Sequence, residues 1–317
     1  RLRAAIPSPS QGVWHLGPLP IRAYALAILT GVVVAILVGR VRYKKRGGND
    51  ELVLDTALWA VIFGIIGARA YHVITDWQLY FSEGANPLDA LKIWNGGLGI
   101  WGGVGAGTLA GALYLRKRGV ALGPFADSIA PGILLAQAIG RLGNYFNQEL
   151  FGGPTTLPWG LQIDPVHLPA GYAPGTTFHP TFLYEMLWNL GAAALLFWLD
   201  RKKKFAGGQV FALYVVFYAL GRVWVEMLRI DKAHIILGLR LNVWTTAAIA
   251  MAGIVAYIIL GRKAAATTVQ PEVSAAPQNA GAIAHAKDMT RSTQIEEDRD
   301  TVEQRLQINQ TDKLENR

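Results

Sequence analysis

Seven apolar stretches, each long enough to cross a membrane, limit most strongly what this chain can fold into. They lie at about residues 21–39, 52–75, 96–115, 123–143, 181–199, 208–228 and 241–261. A helix needs about 20 apolar residues to cross the hydrocarbon core, whereas the spans of a β-barrel alternate in polarity over about ten residues. The sequence therefore predicts an all-α polytopic membrane protein with seven transmembrane helices.

The composition agrees with this class of protein. Hydrophobic residues make up 52% of the 317 residues and charged residues only 16%, against roughly 25% charged in soluble domains. The net charge of +8 comes largely from basic clusters at the ends of apolar stretches. Such clusters orient membrane helices, so they do not indicate a nucleic-acid partner.

The basic clusters also predict the orientation of the chain. They follow the first, third, fifth and seventh stretches, at residues 40–46, 116–118, 201–204 and 262–263. The opposite connections, at about 76–95, 144–180 and 229–240, together contain only Lys92, Arg229, Lys232 and Arg240. Because cytoplasmic loops carry the excess of Lys and Arg, the N-terminus is predicted outside and the C-terminus in the cytoplasm.

Two parts of the chain differ in composition. Residues 1–262 contain all seven apolar stretches, and residues 263–317 are rich in Ala, Thr, Gln and mixed charges. The first part is predicted to be a seven-helix transmembrane domain and the second a disordered cytoplasmic tail.

Cysteine is absent from the chain. This excludes disulfides, thiolate metal sites and a covalent intermediate on sulfur. If the chemistry involves a thiol, that thiol belongs to the substrate.

The longest polar motif, residues 140–152, lies where the fourth stretch reaches the outer face. It carries Arg141, Asn144, Asn147 and Glu149. Ionisable groups at the end of a span are costly to bury, so they face water or build an internal site.

The sixth stretch brings further polar groups to the same depth. Tyr218, Arg222, Glu226 and Arg229 are spaced by four, four and three residues, which places them on one helical face. Two guanidiniums facing a cavity would suit a phosphate, because the planar fork binds oxyanions bidentately. The alternative is a salt bridge between Arg222 and Glu226 near the interface, with Arg229 reaching toward water.

Other polar residues have more than one interpretation. Tyr24 alone is typical of the aromatic belt, and Arg69 is either a site charge or an anchor. His179 is predicted to fix a loop and Asp127 to cap or pack a helix. The glycine-rich segment 96–103, with Trp101 in it, either allows close helix packing or lines a cavity.

Four motifs carry a resemblance to a known family. They are residues 140–152 (GRLGNYFNQELFG), 21–24 (IRAY), 179–185 (HPTFLYE) and 218–226 (YALGRVWVE). Over about residues 15–262 the chain resembles the prolipoprotein diacylglyceryl transferases of bacterial membranes.

The resemblance implies a reaction and its partners. A diacylglyceryl group would move from phosphatidylglycerol to the lipobox cysteine of a preprolipoprotein, with release of glycerol phosphate and without metal or other cofactor. The enzyme would lie in the bacterial inner membrane, its active site toward the extracytoplasmic face. A cavity open sideways to lipid and a small extracytoplasmic head at about residues 145–180 are also implied.

The resemblance further implies which residues matter. By family analogy they are Tyr24, Arg141, Asn144, Glu149, Gly152, Tyr218, Arg222 and Glu226. Trp101 departs from the family, in which many members have a histidine there that is considered a candidate base. Trp101 is instead expected to form part of the cavity wall.

We assign expected roles on this basis. Arg141 and Arg222 would hold the charge that develops on phosphate, and Glu226 or Glu149 would be the base. Tyr24 or Tyr218 would orient the lipid head group. Asn144 would position phosphate or substrate backbone, and Gly152 would let the loop approach closely.

A transporter or flippase for an anionic lipid or solute is the main alternative function. It predicts paired repeats with broken helices near the membrane midplane, and no convincing repeat is visible. A receptor-like seven-helix protein would not explain the grouped arginines.

Overall fold

A computed structural model describes residues 5–17, 19–231 and 235–269. The chain divides into two units, Arg1–Ala264 and Ala265–Arg317. Most of the predicted cytoplasmic tail, residues 270–317, lies outside the described residues.

The described residues form eight α-helices. They are α1 (Ala23–Lys45), α2 (Glu51–Thr75), the short α3 (Gln78–Phe81), α4 (Ile100–Lys117), α5 (Leu122–Asn147), α6 (Thr181–Lys202), α7 (Gln209–Leu228) and α8 (Leu241–Val269). Each predicted apolar stretch coincides with one long helix, and α8 continues beyond the predicted domain boundary at residue 262.

Three small antiparallel hairpins are present in the described part of the chain, one before α1, one between α5 and α6, and one between α7 and α8. They pair β1 (Val13–Leu16) with β2 (Leu19–Arg22), β3 (Leu161–Gln162) with β4 (Thr177–Phe178), and β5 (Ile235–Ile236) with β6 (Leu239–Arg240). In the second hairpin Leu161 lies opposite Phe178. The sequence prediction of an all-α protein did not include these strands, although the fold is mostly helical.

Six helices in the described part of the chain are long and apolar enough to cross a membrane: α1, α2, α5, α6, α7 and α8. This agrees with a polytopic membrane protein. The helix α4 is not among the six, since its 18 residues include five glycines and end in Arg116 and Lys117. A seventh span at this place remains a prediction.

Glycines allow two helix pairs to pack with their backbones close together. A Cβ on Gly31 of α1 would lie 2.9 Å from the carbonyl oxygen of Ala136 in α5. A Cβ on Gly107 of α4 would lie 2.7 Å from the carbonyl oxygen of Ala60 in α2. Since small residues permit such approach in membrane helices, the glycines of α4 serve close packing against α2.

The segment between α5 and α6 has an apolar core of its own. Phe151, Leu161, Ile163 and Phe178 are buried together, with Phe182 from the start of α6. Residues before β1 join this core, because the backbone of Ile6 pairs with Leu161 and its N–H donates to Gly160. The predicted head at about 145–180 is therefore a packed unit that also includes the N-terminal segment.

Candidate active site

The C-terminal end of α5 places the polar residues of the 140–152 motif. The helix ends at Asn147, and Gln148 takes a left-handed conformation with φ of 53°. Its buried side chain stabilises this turn, since the amide donates to Asp164 at 2.6 Å and accepts from the Asp164 N–H at 2.8 Å. The turn fixes the position of Glu149, two residues after the end of the helix.

Glu185, near the start of α6, joins the two candidate phosphate-binding arginines. Its Oε2 lies 2.9 Å from Nε of Arg141 in α5, and its Oε1 accepts a 3.0 Å hydrogen bond from Nη1 of Arg222 in α7. The carboxylate is buried, so it links three helices through charge-assisted hydrogen bonds.

Glu226 is the most enclosed charged group of the site, with 0% of its side chain exposed. Nη2 of Arg222 lies 2.8 Å from its Oε2, as the i,i+4 spacing predicted. Arg229 and Arg240 also contact the carboxylate, at 3.4 and 2.8 Å, and Asn242 donates to it at 3.0 Å. Four neighbours thus compensate the buried charge.

Asn144 extends the network toward the head. Its Oδ1 accepts from Nη1 of Arg141 at 3.1 Å, and its Nδ2 donates to Oε1 of Glu149 at 2.9 Å. Asn147 donates to the same oxygen at 3.2 Å. A continuous polar chain therefore runs from Glu226 through Arg222, Glu185, Arg141 and Asn144 to Glu149, and we call it the arginine–glutamate cluster.

The two central arginines keep free donors at an accessible edge. Their side chains are 19% exposed for Arg141 and 17% for Arg222. Among the described residues, Nη2 of Arg141 and Nε of Arg222 make no hydrogen bond. A guanidinium presents five N–H donors, so each arginine can bind an oxyanion without leaving Glu185.

Asp231 closes the outer side of the cluster beyond the end of α7. Its oxygens lie 2.8 Å from Nε of Arg229 and 3.1 Å from Nη2 of Arg240. Burial by itself would raise the pKa of the Asp231 carboxyl, but the hydrogen bonds and charges of the two arginines hold this pKa below its ordinary value.

Gly152 ties the head to the end of α7. Its N–H donates to the carbonyl of His179 at 2.9 Å, and it forms an antiparallel bridge with Arg229. A Cβ here would lie 2.8 Å from Cβ of His179 and 3.0 Å from the carbonyl oxygen of Leu228. The close approach expected of Gly152 is therefore present.

The two candidate tyrosines border the cluster without joining its hydrogen bonds. The ring of Tyr24 packs directly on Gly143 of α5, and the residue is exposed. Tyr218 stacks on Tyr214 with ring centroids 6.3 Å apart. Among the described residues, neither hydroxyl makes a hydrogen bond with the cluster.

Trp101 lies on α4, which packs against α2, and 57% of the residue is exposed. Within the described part of the chain it makes no hydrogen bond with the arginine–glutamate cluster. The expected place of Trp101 in a cavity wall therefore stays a prediction.

Three other residues have structural roles. Arg69 is buried and donates to the backbone carbonyls of Asp89, Ala90, Gly96 and Gly97, so it anchors a loop. His179 contacts the Tyr184 hydroxyl through Nδ1 at 3.0 Å. Asp127 caps the start of α7 by accepting from the N–H groups of Gly208 and Phe211.

Comparison with known proteins identifies the family. The sequence profile of the prolipoprotein diacylglyceryl transferases matches residues 11–259. A Frankia alni protein named phosphatidylglycerol–prolipoprotein diacylglyceryl transferase is 53% identical over 289 residues, 91% of this chain and 74% of the relative. A protein of the same name from Corynebacterium efficiens is 54% identical over 284 residues, 86% of this chain and 88% of the relative. Another, from Corynebacterium diphtheriae, is 58% identical over 250 residues, 76% of this chain and 88% of the relative. The chain belongs to the prolipoprotein diacylglyceryl transferase family.

Membership of the prolipoprotein diacylglyceryl transferase family confirms the resemblance predicted from the four motifs. The matched residues include the whole arginine–glutamate cluster. Glu185 ends the 179–185 motif, but no role was predicted for it from the sequence. The available signal was a carboxylate inside an apolar span, which calls for a partner. Arg240 was assigned only to a loop, and its contact with Glu226 depends on the hairpin of β5 and β6.

Proposed function

We propose that this protein transfers the diacylglyceryl group of phosphatidylglycerol to the thiol of a lipobox cysteine in a preprolipoprotein. The bond between sulfur and the glycerol carbon forms as the bond between that carbon and the phosphate oxygen breaks. Glycerol phosphate leaves with the electron pair, and the thiol proton passes to a base. The observation that carries the proposal is the Arg141–Glu185–Arg222 bridge, whose two arginines keep free N–H donors.

The two arginines stabilise the leaving phosphate. Negative charge grows on the phosphate oxygens during the displacement, and fixed donors that meet this charge act mainly on the transition state. Glu185 holds both guanidiniums in place before substrate arrives, so little reorganisation is needed. Removing one such donor in other enzymes costs about 10²–10³ in rate.

Glu149 is the better of the two candidate bases. Glu226 is fully enclosed, and its oxygens already face three arginines and Asn242. Glu149 is exposed, and only its Oε1 is engaged within the described residues, by Asn144 and Asn147. Its Oε2 is therefore open to a substrate thiol. Glu226 then serves to hold Arg222, Arg229 and Arg240.

Two buried amides beneath the cluster suit the polar parts of the substrates. Gln137 lies one helical turn before Arg141, and Asn189 lies one turn after Glu185. Oε1 of Gln137 and Nδ2 of Asn189 are buried without a hydrogen-bond partner among the described residues. The Asn189 donor would meet an acyl ester oxygen, and the Gln137 acceptor would meet a peptide N–H.

The proposed setting is the bacterial inner membrane, with the cluster toward the extracytoplasmic face. The alternating basic clusters support an external N-terminus and a cytoplasmic C-terminus. With this orientation α4 is a seventh span, packed against α2. The basic clusters serve as membrane anchors rather than as contacts for nucleic acid.

Product formation tests the proposed function. Purified protein in phosphatidylglycerol micelles is incubated with a lipobox peptide, and the peptide mass is followed. We expect a diacylglyceryl mass gain that is absent with a Cys→Ser peptide and about 10²-fold slower in Arg141→Ala and Arg222→Ala. Arg116→Ala, an exposed arginine at the end of α4, is the matched control and should retain activity. No mass gain with the parent protein would contradict the proposal and favour a transporter.

A further inference from the structure

A cavity lies at the end of the helices opposite to the arginine–glutamate cluster. It has a volume of about 460 Å³ and opens between the C-terminal halves of α1 and α6. The cluster lies at the other end of α6, near Glu185. The two sites therefore share α6 but are separated along that helix by roughly 22 Å, between residues 185 and 200 at 1.5 Å per residue.

One wall of this cavity is apolar. It is formed by Leu37, Val38 and Val41 of α1 and by Phe197 of α6. Leu37 and Val41 are 55% and 56% exposed, so this wall is open at the outer surface of a membrane-crossing helix. An extended hydrocarbon chain would fit such a wall.

The rim of the cavity is basic. Four cationic side chains line it, from Arg42, Lys45, Arg46 and Arg201, against one carboxylate, that of Asp200. The rim therefore carries an excess of positive charge at the depth of the membrane–water interface, and it lies next to the apolar wall.

The four cations differ in how far they are already paired. Nη2 of Arg42 lies 3.1 Å from Asp200, and Arg42 also donates to the carbonyls of Asp127 and Ser128. Arg46 contacts Asp200 at 2.8 Å and Asp127 at 3.6 Å.

Lys45 and Arg201 are the available cations. Both are exposed, and neither forms an ion pair within the described residues. They flank the mouth of the cavity from α1 and α6, so an anion placed between them would meet two unpaired positive charges.

We propose that this cavity binds one anionic diacyl phospholipid of the adjoining leaflet. Its phosphate lies between Lys45 and Arg201, and one acyl chain runs along Leu37, Val41 and Phe197. Basic pockets between membrane helices commonly take anionic lipid head groups. A zwitterionic lipid would offer no net charge to the rim, and inorganic phosphate would leave the apolar wall uncovered. The site is independent of the proposed transferase reaction.

Lipid retention measured by native mass spectrometry tests this proposal. Delipidated full-length protein in neutral detergent is titrated with phosphatidylserine or phosphatidylcholine of identical acyl chains. Phosphatidylglycerol is avoided because it is the proposed substrate. We expect one tightly retained phosphatidylserine and weaker retention of phosphatidylcholine. In Lys45→Gln/Arg201→Gln the apparent affinity for phosphatidylserine should fall about fivefold for each charge removed.

Two further variants separate the site from general surface charge. Arg116→Gln/Lys117→Gln removes two exposed basic residues from the end of α4 and should leave phosphatidylserine retention unchanged. Val41→Trp keeps every charge but fills the apolar wall, so it should lower retention. Equal retention of the two lipids would overturn the proposal. So would an equal loss in the α4 control, or full retention in Val41→Trp.

Discussion

Glu185 is the carboxylate on which Arg141 and Arg222 converge. In Glu185→Gln the guanidinium of Arg141 would lose its carboxylate partner, and Arg222 would keep only Glu226. Because losing one partner of a buried ion pair leaves an unpaired charge, we expect a loss of about 3–5 kcal/mol in stability. Transferase activity should fall with it. Thermal unfolding in detergent and the peptide mass assay measure the two effects.

Glu149→Gln is the matched control for this prediction. Its carboxylate is exposed and accepts only amide hydrogen bonds among the described residues. The melting temperature should therefore remain close to that of the parent while activity is lost. A Glu185→Gln protein with parental stability would show that the bridge does not hold the helices together.

The stability of the outer end of the cluster should depend on pH through Asp231. The folded protein lowers the pKa of this carboxyl, so its contribution is fully present above the unfolded value of about 3.9. It is lost as the pH falls through the lower folded pKa. The difference in melting temperature between the parent and Asp231→Asn should thus be smaller at pH 3 than at pH 6. A constant difference over this range would contradict the assignment.

At the scale of single residues, the sequence predicted contacts within one helix but not those between helices. The salt bridge between Arg222 and Glu226, which the i,i+4 spacing offered as the alternative to a phosphate site, is present at 2.8 Å. The contact of Glu185 with Arg141 joins positions 44 residues apart, from α6 to α5. No local period encodes it, since it depends on which faces of the two helices meet.

At the scale of elements, the glycines of α4 differ in what surrounds them. A Cβ on Gly107 would lie 2.7 Å from a backbone oxygen of α2, whereas a Cβ on Gly105 would meet nothing within 4 Å. Alanine favours a helix over glycine by up to about 1 kcal/mol. Gly105→Ala should therefore be neutral or stabilising, and Gly107→Ala should lower the melting temperature. Equal shifts in the two variants would argue against close packing of α2 and α4.

Element positions were predicted more accurately than element ends. The apolar stretch at 208–228 corresponds to α7 at Gln209–Leu228. The stretch at 96–115 begins four residues before α4, because Gly96 and Gly97 adopt positive φ and remain outside the helix. The hairpins were missed since strands of two residues, such as β3 and β4, are too short to show an alternating pattern.

At the scale of the whole molecule, the proposed orientation is directly testable because the chain contains no cysteine. A single introduced thiol therefore reports its own location. Val166→Cys, in the exposed part of the head, should react with a membrane-impermeant maleimide on intact spheroplasts. Lys203→Cys, between α6 and α7, should react only after the membrane is permeabilised. The reverse pattern would invert the proposed topology.

The fold class was predictable because a bilayer requires long apolar helices, and six such helices are present in the described chain. The assembly of the site was less predictable. The four motifs lie at the ends of α1, α5, α6 and α7, but Arg240 reaches Glu226 from the hairpin of β5 and β6, and Asn242 reaches it from the start of α8. That arrangement depends on the tertiary fold.

The helices α5 and α7 are tied together at both ends. Asp127 binds the first turn of α7 at one end, and Glu185 links Arg141 to Arg222 at the other. The two ties are roughly 21 Å apart along α5, at 1.5 Å per residue. Because they are joined at both ends, α5 and α7 resist separation. We therefore expect the proposed lipid and peptide substrates to enter and leave between other helices of the bundle, with little change in the spacing of α5 and α7.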